Sequence, residues 1–161
     1  MEIKGLKRID KVINDFTKQF GITAFIDPIN GFQAYTTEMK VSYTLFVDEE
    51  WLDCFANEAN TRYEGINANP FLWGIMHEIG HCMTDIWDFE DEKFFEQMKK
   101  KLDNFETAEE INTWYHVLPD EYFATRWAAD FMWTHPKKMR KFCEKMNKAI
   151  QNFCEKNNFT P

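Results

Sequence analysis

Glycine and proline are scarce in this chain, with six and five copies among 161 residues. So few turn-formers argue against a loop-dominated fold. Cysteine is also sparse: residues 54, 82, 143 and 154 include no C-x-x-C pair. Cys143 and Cys154 fall on one expected helix, three turns apart, and cannot bridge within it. Free, partly buried thiols in a reducing compartment are the expectation. Positive charge is in deficit, 19 basic residues against 27 acidic, for a net charge of −8. A surface of that sign repels phosphate backbones, so direct nucleic-acid binding is not expected. The one dense basic run, Lys137-Lys138-Met139-Arg140-Lys141, reads as a solvated helix face. No stretch reaches the roughly twenty apolar residues that span a bilayer. The opening Met1-Glu2-Ile3-Lys4-Gly5-Leu6-Lys7-Arg8 scatters charge where a leader or anchor needs an apolar run. No membrane association and a cytoplasmic location follow as expectations.

Aromatic side chains are plentiful, with sixteen phenylalanines and six tryptophans. Together with 44% hydrophobic residues they supply a real core, and residues 1–161 are expected to form a single domain. Ile3, Leu6, Ile9, Val12 or Ile13, Phe16 and Phe20 recur at helical steps and predict an opening helix closed by Gly21. Ile22 to Ile26, Phe32 to Thr37 and Lys40 to Val47 read as three strands of a small, mainly antiparallel sheet. Asp48 is placed to cap a helix through Trp51, Leu52, Phe55 and Ala59, with Glu49 and Glu50 in its first turn. Asn60 to Asn69 reads as a polar loop, and Asn69-Pro70 as the start of the next helix. Asp88 to Leu102 predicts a further helix, and Thr107-Ala108-Glu109-Glu110 matches a capping box leading towards His116. Leu118-Pro119-Asp120-Glu121 opens a helix to Thr134, and a last one follows His135-Pro136 to about Asn157. The fold class expected is α+β, mostly helical.

Within the helix after Pro70, the segment Ile75-Met76-His77-Glu78-Ile79-Gly80-His81-Cys82-Met83 sets three ionisable groups in an apolar run. Burying such groups is costly unless a partner compensates them. His77 and His81 are four residues apart, so both imidazoles leave one helix face and can meet on a single zinc ion. Glu78 lies about 100° further round, awkward for a ligand but suited to act as a base on a water at the metal. Two satisfied core histidines without metal are the plainer alternative.

Two imidazoles leave a tetrahedral ion half coordinated, so a third ligand is required. The extended H-x-x-G-x-x-H form is absent, because Thr84 and Trp87 stand where its glycine and histidine belong. Asp85 and Asp88 are close in sequence. Glu121 is the better candidate, on a helix face with Ala124, Ala128 and Phe131 that can pack closely on the motif helix. Asp120 beside it reads as a cap, or as an acceptor for a ligand imidazole N–H.

His77-Glu78-Ile79-Gly80-His81, followed by Glu121-x-x-Ala124-x-x-Trp127-Ala128-Ala129, resembles the ImmA/IrrE family of zinc metallopeptidases. That family carries H-E-[ILF]-G-H and then E-x-x-A-x-x-F-A; it belongs to the gluzincin-type group and is common in bacteria and phages. Here Trp127 takes the phenylalanine position, and the interval between the motifs is longer. The resemblance implies a zincin-like fold with one Zn2+ ion. It implies His77, His81 and Glu121 as ligands and Glu78 as the catalytic base. His116, Tyr115 and Tyr122, near Glu121 in sequence, are candidates to stabilise the oxyanion of peptide hydrolysis. The expected function is zinc-dependent cleavage of an intracellular protein such as a regulator. A polypeptide substrate would be laid along a sheet edge, for which Lys40 to Val47 is the candidate strand. The alternative is a zinc-stabilised binding module of phage or mobile-element origin that sequesters a host protein.

Overall fold

The computed structural model describes residues 3–45, 50–84 and 92–160. The first helix, α1 (Leu6–Thr17), buries Ile9, Ile13, Phe16 and Thr17. A 3-10 turn over Lys18–Phe20 ends at Gly21, whose φ of 71° lies in the left-handed region. Glycine enters that region without a Cβ clash, so the chain reverses there into β1 (Thr23–Ile26). The Asn14 amide locks helix to strand: it donates to the Ala24 carbonyl and accepts the Ala24 N–H, both at 2.9 Å. β2 (Gln33–Tyr35) and β3 (Lys40–Tyr43) follow.

The sheet is mixed rather than mainly antiparallel. Its order is β1-β3-β2, with β3 parallel to β1 and antiparallel to β2. Asp27 accepts the N–H groups of Ile29 and Asn30, and Gly31 has a φ of 69°, so the chain after β1 makes a broad loop. That loop leaves room for β3, and the Ser42 hydroxyl donates across it to the Gly31 carbonyl. β3 is therefore central. Lys40 to Val47 cannot be the open edge, since both its sides are hydrogen-bonded; residues 46 and 47 lie outside the described residues. So do Asp48, Glu49 and residues 85–91, which include the expected start of the fourth helix.

α2 (Glu50–Arg62) runs further than expected, through Asn60. Asn60 belongs to the helix yet fastens the loop that follows. Its Oδ1 accepts from the Ala68 N–H at 3.1 Å and the Trp73 indole N–H at 2.7 Å, while Nδ2 donates to the Ala68 carbonyl at 2.9 Å. Asn60→Ala would orphan three polar groups around the fully buried Trp73. A loss of about 3 kcal/mol is expected, read as a lower urea midpoint at unchanged slope.

α3 (Pro70–Thr84) carries the motif and is buried on most of its circumference. Pro70 sits in its first turn, and Asn69 Oδ1 accepts the Leu72 N–H at 2.8 Å. α4 (Glu92–Lys100) leads into a 3-10 turn over Lys101–Asn104. α5 (Ala108–Tyr115) starts at a complete Thr107–Glu110 capping box. α6 (Pro119–Thr134) and α7 (Pro136–Asn157) complete the order. The architecture is α+β and mostly helical. α7 packs along α1, with Phe142 stacked on Phe16 at 4.1 Å between ring centres. No helix among the described residues is long and apolar enough to cross a membrane. All four cysteines are free thiols.

α3 and α6 make the most intimate helix pair. A Cβ on Gly80 would come 2.3 Å from the Ala124 carbonyl oxygen, so the two backbones touch there. Gly74, two turns earlier, faces the Phe32 ring instead, at 2.8 Å from the same virtual Cβ.

Candidate metal centre

The close approach of α3 and α6 decides the site. Gly80 precedes His81, and Ala124 follows Glu121 by one turn, so backbone contact brings the side chains of His77, His81 and Glu121 together. One carboxylate oxygen, Glu121 Oε2, lies 2.7 Å from His77 Nε2 and 3.0 Å from His81 Nε2. The two Nε2 atoms are 3.1 Å apart. All three residues offer donor atoms within 4.8 Å of one another, and together they could hold a metal ion. Bonds of about 2.0–2.2 Å in a tetrahedron separate donors by roughly 3.4 Å. The three edges, at 2.7, 3.0 and 3.1 Å, would need to open by about 0.3 to 0.7 Å, less than an ångström each, so the residues fit such an ion.

Burial and the gathered charges set the electrostatics of the cluster. Burial pushes the Glu121 carboxyl up, but hydrogen bonds from His77 and His81 outweigh it and hold it below the usual carboxylate range. Burial works against a charged His81, yet the bond and charge of Glu121 raise its pKa to about 9. A metal ion and a proton would therefore compete for this ring. Cys82, next to His81, is pushed to about 11 by burial and by the Glu78 charge, which keeps it a thiol.

Glu78 points to a different neighbour, as its position round the helix requires. Its carboxyl is buried, which raises its pKa, and the nearby backbone N–H of Ala34 in β2 acts in the opposite direction. Ala34 pairs with Val41, between the hydrogen-bonded pairs Gln33–Ser42 and Tyr35–Lys40. In an antiparallel ladder such a residue turns both main-chain groups away from its partner strand. The Ala34 N–H and carbonyl therefore both face the outer side of β2, beside Glu78.

The other expected residues divide. Tyr115 joins the site: its phenol is within hydrogen-bonding reach of Glu121, and burial and that charge raise its pKa well above the ordinary value. His116 stands one layer behind. It stacks on Phe55 at 4.7 Å, and Phe55 meets His77 edge-on at 5.0 Å. Burial, helped by Arg62, lowers its pKa to about 4, so the ring is neutral. Tyr122 is turned to Arg126, whose guanidinium donates to its hydroxyl at 3.0 Å. Asp120 is not the acceptor behind a ligand imidazole; it pairs with Lys99 at 3.1 Å. Asp85 and Asp88 lie outside the described residues.

The group behind His77 is Thr125, whose Oγ1 lies 2.9 Å from Nδ1. Nothing in the sequence singled it out, although it follows Glu121 by four residues and therefore shares its helix face. Set against models of protein families, curated proteins and solved structures, the chain matches none.

Proposed function

We propose that the chain is a zinc-dependent peptidase with a zincin-like fold, similar in its motifs to the ImmA/IrrE family. One observation carries the reading. Two imidazoles and a carboxylate from separate helices meet at a common point, with Glu78 one residue along and facing a sheet edge. Zinc in that position would polarise a scissile carbonyl and an attacking water. His77 and His81 would hold it by Nε2 and Glu121 by Oε2, and among the described residues no fourth donor joins them. Glu78 takes the proton from the attacking water and passes it to the leaving amine nitrogen. Its buried setting raises its proton affinity towards what a base and then an acid needs. Tyr115 steadies Glu121.

The polypeptide lies along β2, not β3. The outward main-chain groups of β1 at Ala24 are taken up by Asn14, whereas the Ala34 carbonyl on β2 faces the Glu78 side. An extended segment can hydrogen-bond there and present its backbone to the base. A zinc-stabilised binding module, by contrast, calls for a fourth protein donor closing the ion.

Protein purified without a metal-affinity tag should carry about one equivalent of zinc. It should also cleave a mixture of unstructured polypeptides, generating new amino termini detectable by mass spectrometry, and a chelator should stop this. Zinc near zero that added zinc does not restore would refute the metal reading. Stoichiometric zinc without new termini would favour the binding module.

A further inference from the structure

Thr125 differs from four other helical threonines, and from Thr17, which donates to the Ile22 carbonyl, in that its hydroxyl meets a side chain from another helix. Thr61, Thr84, Thr113 and Thr134 each donate to the carbonyl oxygen four residues earlier, at 2.7–2.9 Å. This is the usual resting place for such a hydroxyl. Thr125, fully buried in the middle of α6, is instead set against His77 Nδ1 at 2.9 Å. The ring is thus held at both nitrogens, by Thr125 on one side and by Glu121 on the other.

We infer that Thr125 is a positioning residue, whose hydroxyl accepts the Nδ1–H of His77 and so keeps the Nε2 lone pair turned to the metal. This rests on the zinc reading of the triad. A neutral imidazole carries its single proton on one nitrogen or the other, and only the Nδ1–H form leaves Nε2 free to coordinate. Metal-bound histidines generally give their second nitrogen to a carboxylate, a carbonyl or water. A hydroxyl does the same work without bringing a second negative charge next to Glu121. It can also reverse its role and donate to Nδ1 when Nε2 carries the proton, as a carboxylate could not. Thr125 therefore accommodates His77 with and without metal, keeping Nδ1 hydrogen-bonded in both states.

Thr125→Val keeps the shape and removes the acceptor. Zinc affinity, measured by competition with a chromophoric chelator, should fall about ten- to a hundredfold. Thr125→Ser should restore it to near the parent value, a rescue that packing alone would not give, since serine lacks the methyl group. The visible absorption bands of cobalt-substituted protein should change with valine and return with serine. Nitrogen-15 NMR of the zinc-loaded parent tests the same point without any variant: the His77 ring should carry its proton on Nδ1. Parent protein that takes up no zinc overturns the triad and the Thr125 role together. Parent that binds zinc while Thr125→Val binds equally well, or whose His77 lacks an Nδ1 proton, overturns the Thr125 role alone.

Discussion

Replacing Glu78 by glutamine is expected to lower peptide turnover by about a hundred- to ten-thousandfold while leaving bound zinc unchanged. The amide is nearly the same size and fits the same buried space beside Ala34. It has no basic oxygen to receive a proton from the attacking water. The carboxylate also contributes negative charge near His77 and His81, but it supplies none of the donor atoms clustered at Glu121 Oε2. Zinc content and cleavage rate, measured on the same preparation, separate the two roles. A variant that cleaves as fast as the parent removes Glu78 from the chemistry. One that loses zinc in parallel with activity makes it part of the metal site. Comparing cells that make the parent and the variant, by a survey of protein amino termini, would then point to the natural substrate.

Gly80→Ala should have the largest structural effect of any single methyl addition on α3. The new carbon would sit 2.3 Å from a main-chain oxygen of Ala124, which has no rotamer with which to retreat. The helices must separate, and overpacking of this kind costs about 1–3 kcal/mol or more. His81 is the next residue on one helix, and Glu121 lies one turn away on the other. The separation therefore pulls donor atoms apart, and zinc affinity should fall at least about tenfold along with the melting temperature. Gly74→Ala is the control. Its methyl meets the end of the Phe32 side chain, which can turn aside, and not the α6 backbone that carries Glu121. A milder loss of stability and normal zinc uptake are expected there. Equal effects at both positions would show that backbone contact at Gly80 does not set the metal geometry.

How much of this was legible before any coordinates follows from the range over which each signal acts. His77 and His81 lie four residues apart on one helix, so their shared direction is a local property that spacing reveals. Glu121 was reachable through the small residues beside it, because Ala124 and Ala128 announce a face built for close packing. The Thr107 capping box and the Asn69-Pro70 helix start were equally local, and both formed as read. Strand order was not legible. The alternation in residues 22–47 says which segments are extended, but the insertion of β3 between β1 and β2 depends on the breadth of the loop around Asp27 and Gly31. Asn60 escapes a reading of the sequence for a related reason: a polar residue late in a helix looks like the beginning of a loop unless its partners, Ala68 and Trp73, are known. Thr125 was invisible because a lone threonine in a helix has an ordinary local use. Only the arrival of His77 from another helix gives it a different one.

The Asn14 clasp on Ala24 also bears on how copies of this chain meet one another. Sheets that stack indefinitely need two exposed flanks, one to accept a neighbour and one to offer to the next. Here the β1 flank is already occupied at Ala24 by a side chain of the same molecule, which stands in the way of propagation from a strand added on β2. A strand added at β2 would thus find no matching flank at Ala24 on which a fibre could continue.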